Sequence, residues 1–416
     1  MQEMAEVVKK QFRSLGIRHA LSPVLDVGRD PRWGRIGETY GEDPTLISQL
    51  GVAYVTGLQG ETVTEGIAAT AKHFLGYSMT GALNMTEELI PPRTLREVYA
   101  KPFEAVIQKA DIMSIMNSYS TLDGEPIIAS ESMLNDFLRS ELGFEGLTVS
   151  DYRSIDKLVT SFRTAGDIKD AGIQAIKAGM DMELPHRNGY GTHSYVEAGE
   201  VDITFVDRSV RRVLEMKFRL GVFEKPYPEM ELIKAVFDQP ENDELSLSIA
   251  RDSMVFVKNE GDLLPLAKSM KKVAVIGPNA HNLRNMFGGY SHPASKELFF
   301  GLAKMVGVET TGNLNRSYED QLNELETEYL PKAYPNMTTL FSELQNRLQD
   351  SEVTYSKGCS LTDPDKAGFE EAIQKASRAD IVIMVMGGKD GFGKPCTTGE
   401  GNVLPRLAFL VYRKTL

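Results

Sequence analysis

The sequence predicts an α/β protein: a parallel sheet of the barrel type, then a second α/β domain. Three observations carry this. Between residues 19 and about 220, short apolar runs of strand character alternate with stretches of helical periodicity, the signature of β–α units. Polar residues sit at the C-terminal tips of several of these strands, which favours a barrel, because open sheets concentrate ligands at one switch point. No G-x-G-x-x-G or Walker pattern occurs, so a phosphate-binding open sheet is not indicated.

Residues 1–18 read as a helix with Met4, Val7, Val8, Phe12 and Leu15 on one face. A buried strand is expected at 19–27. A polar loop follows, Gly28-Arg29-Asp30-Pro31-Arg32-Trp33-Gly34-Arg35, then Gly41-Glu42-Asp43-Pro44. Its arginines suit a salt-bridged structural loop as well as contacts to substrate hydroxyls or carboxylates. Residues 45–60 are helical, and 67–74 form a strand that ends in Lys72-His73-Phe74. A helix is predicted at 94–110, and a strand at 111–119 with the polar tip Asn117-Ser118-Tyr119. Gly124-Glu125-Pro126 is turn chemistry.

The stretch Ser132–Gly143 is helical, with Gly143 as its C-cap. It feeds Gly146-Leu147-Thr148-Val149-Ser150-Asp151-Tyr152, an apolar strand that stops abruptly at a carboxylate. An acid at the C-terminal tip of a buried strand is how a barrel presents chemistry, and it makes Asp151 a candidate nucleophile. A helix at 165–178 and a strand at 179–185, again with an acid at its end (Glu183), come next, followed by a helix at 203–220. Glu224-Lys225-Pro226-Tyr227-Pro228 opens a connector. A helix is expected at 243–258, then buried strands at 272–279 and 380–388 with mainly helical chain at 316–350. Residues 389–402 read as a glycine-rich loop, and an apolar run from Val403 continues to Leu416.

At 416 residues the chain suits two or three domains. The net charge of −12 argues against nucleic-acid and anionic-membrane partners. No apolar run is long enough to span a bilayer. The first residues lack the uninterrupted apolar core of a signal peptide. Cys359 and Cys396 are too few for a disulfide framework or a metal cluster. No cofactor or metal is expected, and the compartment is not readable.

Five blocks, in order, resemble glycoside hydrolase family 3. They are Ser22–Val27 with Asp30–Arg35 and Gly41–Pro44; Lys72–Phe74; Met116–Tyr119 with Asp123–Pro126; Leu138-Arg139 through Gly146 to Ser150-Asp151-Tyr152; and Val273–Asn279. Phe137 departs from the pattern, standing where the family usually has a small aliphatic residue. The resemblance implies an incomplete (β/α)8 TIM-type barrel at 1–222, a linker at 223–250, and an incomplete α/β sandwich domain at 251–416. The family has strand–helix units ahead of the first of these blocks, carrying a sugar-binding aspartate, and further chain after Asn402. The sequence therefore reads as a fragment truncated at both ends.

By resemblance, the family removes β-linked sugars from non-reducing ends with retention. Asp151 matches its nucleophile. Arg35, Lys72 and His73 match residues that hold the sugar, with Tyr119 and Tyr152 flanking the site and Glu183 among the substrate-binding candidates. Glu400 lies in the stretch that carries the acid/base, although it also reads as an ordinary loop carboxylate. The Gly399-Glu400-Gly401-Asn402 stretch and the absence of an Asp-Ser-His sequel to Lys72-His73-Phe74 favour the β-glucosidase/β-xylosidase branch. The expected partners are small-molecule or oligosaccharide β-glycosides, with a homodimer left open. The alternatives are a catalytically impaired or carbohydrate-binding form, or another specificity such as N-acetylhexosaminidase or arabinofuranosidase.

Overall fold

Four strands lie side by side in parallel in the first part of the chain: β1 (His19–Ala20), β2 (Ala68–Phe74), β3 (Ser114–Asn117) and β4 (Leu147–Val149). The computed structural model describes all residues except 78–79, 187–188, 229, 268, 307–316, 393–395 and 401–416. Two compact units emerge. The first is Met1–Pro31 with Glu38–Met254; the second is Arg32–Gly37 with the described residues from Val255 onward.

In the first unit the strand order follows the chain order, and each crossover contains a helix. Those helices are α2 (Pro44–Gln59), α3 (92–110) and α4 (Ser132–Glu141), with α1 (Gln2–Ser14) preceding β1. A single parallel bridge, Val149 to Met182, adds one more stave beside β4. This is the strand–helix succession of a (β/α) barrel. Its strands are buried on both faces, as parallel sheets require, with Ile67, Ala69, Ala71, Phe74 and Ile115 in one continuous core.

Side chains fix the helix starts. The Asp43 carboxylate accepts from Thr45 N ahead of Pro44, and the Asp167 carboxylate accepts from Asp170 N at the start of α6 (Ile168–Ala178), which follows the short α5 (Ser154–Thr160). After α7 (Thr192–Glu197), the Asp202 carboxylate accepts from Thr204 N to begin α8 (Ile203–Arg219). Asp123 and Gly124 both take positive φ, so the expected turn is a two-residue hairpin between Thr121–Leu122 and Glu125–Pro126.

Several boundaries differ from expectation. The first strand is short because Pro23, inside the 19–27 run, has no N–H to give a ladder; beyond β1 pairing continues through Thr70 N to Ser22 O, Lys72 N to Pro23 O and Leu25 N to Lys72 O. The 179–185 run forms a single ladder bridge, Val149 to Met182, and is otherwise tied to β4 and the turn after it by Met182 N to Thr148 O, Ser150 N to Met182 O and Arg153 N to Leu184 O. The connector after residue 224 contains helix α9 (Met230–Phe237). The helix expected at 243–258 is α10 (Pro240–Asp252) and ends before the apolar Met254–Val257 stretch, which is exposed.

The second unit has a three-stranded parallel sheet. Strand β5 (Lys272–Ile276) lies between β6 (Glu352–Ser356) and β7 (Ile381–Met384). Helices α11 (His292–Val306), α12 (Tyr318–Glu324), α13 (Leu340–Arg347) and α14 (Phe369–Ser377) connect them. The sequence reading missed β6, whose alternating Glu, Thr and Ser dilute its apolar run. The expected apolar run from Val403 lies outside the described residues.

Candidate active site

In the first unit, the strand-tip residues converge on Asp151. Strand β4 ends because Ser150 turns its hydroxyl to the next stave, accepting from Leu184 N at 2.7 Å, while Ser150 N donates to Met182 O. The backbone then folds sharply at Arg153, which has φ +60°. Asn117, at the tip of β3, locks the turn. Its Oδ1 accepts from Asp151 N at 3.1 Å, and its Nδ2 donates to Ser154 Oγ at 3.1 Å.

The two oxygens of Asp151 have different surroundings. Oδ1 accepts from Tyr152 N at 2.6 Å. Oδ2 lies 3.6 Å from His73 Nε2, at the tip of β2. The other nitrogen of that imidazole, Nδ1, is 2.7 Å from Asp26 Oδ2, and the same oxygen accepts from His73 N at 3.2 Å. Because an ionised carboxylate only accepts, Nδ1 is the donor there and Nε2 is aimed at Asp151. Asp26, His73 and Asp151 are all buried. Lys72 precedes His73 and bridges Val24 through its backbone.

Aromatic rings wall this group. Tyr119 donates to Tyr152 O at 2.7 Å, with the Lys157 ammonium 4.5 Å above its ring. Tyr77 packs edge-on against both His73 and Tyr119. Tyr152 itself is exposed. Glu183 serves its own loop: its carboxylate accepts from Gly189 N and Tyr190 N and lies 3.3 Å from His186 Nδ1.

Asp181 closes the base of β4. It accepts from Arg139 at 3.0 Å, Arg212 at 2.9 Å, Ser209 Oγ at 3.1 Å, and both the amide and hydroxyl of Thr148. Burial pushes the Arg139 guanidinium down to about 10, against the opposing pull of Asp181.

Arg35 and Glu400 lie together in the second unit. Arg35 Nη1 is 3.9 Å from Glu400 Oε1, and Tyr290 donates to Glu400 Oε2 at 2.7 Å. The Glu400 loop is set by glycine. Gly399 has φ +117° and donates to Gly34 O at 2.5 Å; a Cβ there would meet Gly391 O at 1.8 Å. Beneath the loop, the buried Glu297 carboxylate joins Arg284 at 2.7 Å and Lys389 at 2.5 Å. Burial, with Glu297 nearby, raises the Cys396 thiol to about 11. Among the described residues no group of three or more His, Cys, Asp or Glu could hold a metal ion.

Asp26, Asn117 and Tyr290 were not picked out from sequence as site residues. A carboxylate inside the apolar Leu25-Asp26-Val27 run was the available signal for Asp26, since a buried charge needs a partner.

The family model for the glycosyl hydrolase family 3 N-terminal domain matches residues 1–216, and that for the C-terminal domain matches residues 254–409. The chain is 33% identical to a β-xylosidase of Formosa agariphila, over 96% of this chain and 52% of that protein. It is 32% identical to a lysosomal β-glucosidase of Dictyostelium discoideum, over 92% and 45%. Among solved structures it resembles a β-glucosidase involved in saponin metabolism from intestinal bacteria. That match has a TM-score of 0.79 and 29% identity, over 95% of this chain and 53% of the other. It also resembles the β-glucosidase of Listeria innocua in complex with isofagomine, with a TM-score of 0.75 and 26% identity, over 95% and 50%. The chain spans about half the length of these relatives. With both domain models matched in order along it, the chain belongs to glycosyl hydrolase family 3.

Proposed function

We propose that the chain carries the reactive groups of a retaining exo-β-glycosidase that releases terminal β-D-glucosyl or β-D-xylosyl residues. In this reading residues 1–222 are assigned to an incomplete barrel, 223–250 to a linker and 251–416 to an incomplete α/β sandwich domain. Retention asks for two carboxyl groups, one ionised and one protonated. Asp151 is assigned as nucleophile and Glu400 as acid/base.

In the first step Asp151 attacks the anomeric carbon. The glycosidic C–O bond breaks toward the leaving oxygen, which takes the Glu400 proton. In the second, Glu400 takes a proton from water as the water displaces Asp151, returning both carboxyl groups to their starting states. Lys72, His73 and Arg35 are assigned to sugar hydroxyls, and Tyr119 and Tyr152 to the walls. Glu183 is a further candidate for a sugar contact; its bonds to Gly189 and Tyr190 support a loop-holding role.

The observation that carries the nucleophile assignment is the fixed Asp151 carboxylate, with one oxygen held by its own turn and the other facing His73. The test uses aryl β-glucosides and β-xylosides with the chain, and a 2-fluoro glycoside to trap the intermediate. Hydrolysis, its loss in Asp151→Asn, and a sugar-sized mass gain on the Asp151 peptide are expected. A trapped sugar on another residue would overturn the assignment. Sugar binding without turnover would point instead to a carbohydrate-binding role.

A further inference from the structure

We propose that Tyr290 is a positioning residue for Glu400: its phenol selects which carboxyl oxygen is held and which is left to transfer a proton. This rests on the reading of Glu400 as acid/base. Three segments of the second unit meet here. The 34–35 segment is tied to the Glu400 loop by Gly399 N donating to Gly34 O. The 288–290 segment is tied to it by Gly289 N donating to Asp390 Oδ2 at 2.5 Å. Arg284 fastens the same loop from below, donating to Asp390 O at 3.1 Å.

At the junction the hydrogen bonds run in one direction. Arg35 Nη2 donates to the Tyr290 oxygen at 3.5 Å, and the Tyr290 hydroxyl donates to Glu400 Oε2 at 2.7 Å. A cation behind a phenol polarises its O–H toward the acceptor. Oε2 is therefore the held oxygen. Oε1 faces the guanidinium at 3.9 Å, beyond hydrogen-bond distance, and is the oxygen left to carry the proton. The ring of Tyr290 stands edge-on to Phe392 with centroids 5.5 Å apart, so the phenol is braced by its own loop partner. A glutamate on a glycine-flanked loop has several rotamers; the phenol narrows them to one.

Tyr290→Phe keeps the ring against Phe392 and removes only the hydroxyl. Two measurements decide the proposal. The first is leaving-group dependence, compared with the wild-type chain. With phenyl or methyl glycosides, whose leaving oxygens need a proton, kcat/KM is expected to fall about 10–100-fold, part of the usual general-acid contribution. With 2,4-dinitrophenyl glycosides, whose leaving group needs none, it is expected to fall less than about threefold. Equal losses on both, the result of a merely structural role, or no loss on either, would overturn the proposal.

The second measurement needs no turnover. In protein labelled with 13C at tyrosine Cζ, the resonance absent from Tyr290→Phe belongs to Tyr290. It is expected to shift with a carboxyl titration, and that inflection is expected to vanish in Glu400→Gln. An inflection that persists in Glu400→Gln would assign it to Asp390, the other carboxylate bound to this segment, and would overturn the proposal. A wild-type chain that hydrolyses no glycoside sinks the acid/base reading and the proton-transfer role, while the resonance still decides the contact.

Discussion

Asp26 Oδ2 lies 2.7 Å from His73 Nδ1, and both residues are almost wholly buried. The carboxylate orients the imidazole whose other nitrogen faces Asp151. Asp26→Ala is expected to leave a buried donor without its acceptor and to cost about 1–3 kcal/mol of stability. Asp26→Asn can still accept from Nδ1 through its amide oxygen and is expected to cost less. In Asp26→Ala the freed ring loses its aim, and kcat on an aryl glycoside is expected to fall on the order of 10²-fold, whereas Asp26→Asn, which still holds Nδ1, is expected to lose less. Urea unfolding and steady-state kinetics check the two parts; full activity in Asp26→Ala would show that the ring needs no support.

Gly399 precedes Glu400 in a left-handed conformation, with Gly391 O where a side chain would go. Gly399→Ala is expected to push the Glu400 loop away from Gly34 and to uncouple the carboxylate from Tyr290. Gly399 is buried and the obstacle is backbone that must itself shift, so a stability loss of about 1–3 kcal/mol is expected. Loss of kcat/KM on phenyl glycosides should exceed that on 2,4-dinitrophenyl glycosides. Equal activity of Gly399→Ala and wild type on both would mean that the loop absorbs the methyl group without moving Glu400.

Asp181 is an acceptor shared by Arg139, Arg212, Ser209 and Thr148 at the base of β4. Asp181→Ala leaves two largely buried guanidiniums without their shared counter-charge. Breaking such a pair from one side costs about 3–5 kcal/mol. A large fall in the urea midpoint of the first unit is therefore expected. The exposed Lys169–Glu200 pair, 2.7 Å apart, is the control: water and salt screen it, and Glu200→Gln should barely move the midpoint. Equal midpoints for the two variants would refute the ranking.

What the sequence made legible follows from range. Asp151 was readable because the strand and the acid that ends it are contiguous. Helices at Pro44–Gln59 and Ile203–Arg219 were readable from their local pattern, and the structure adds Asp43 and Asp202 as the caps at their starts. The function of Asp26 was not, because its partner is 47 residues away and only the β1–β2 pairing brings them together. Tyr290 meets Glu400 across 110 residues, and one aromatic in a glycine-rich loop carries no local signal. Strand β6 escaped because Glu352, Thr354 and Ser356 alternate with Val353 and Tyr355 on a half-buried strand. Helix α9 escaped because Pro226 and Pro228 announce a connector and the helix begins just beyond them.

His19 joins β1 to β2 by a 2.7 Å contact between its Nε2 and Thr70 Oγ1. Burial pushes its imidazole down to about 4. In the unfolded chain it titrates near its ordinary value of about 6.5. Above that value both states hold it neutral and it adds no pH dependence. Between about 6.5 and 4 the unfolded chain binds the proton and the folded chain does not, so stability falls as pH falls. Below about 4 both bind it, and the loss stops growing. The full interval corresponds to at most about 3 kcal/mol, and less in practice, because part of the residue still reaches water. Urea midpoints at pH 7 and pH 4.5 are expected to differ more for the wild-type chain than for His19→Gln, which keeps a hydrogen-bonding group for Thr70 but cannot titrate. Carboxylates titrate in both proteins alike, so the difference between the two slopes isolates the imidazole; parallel slopes would mean that His19 is protonated in the fold.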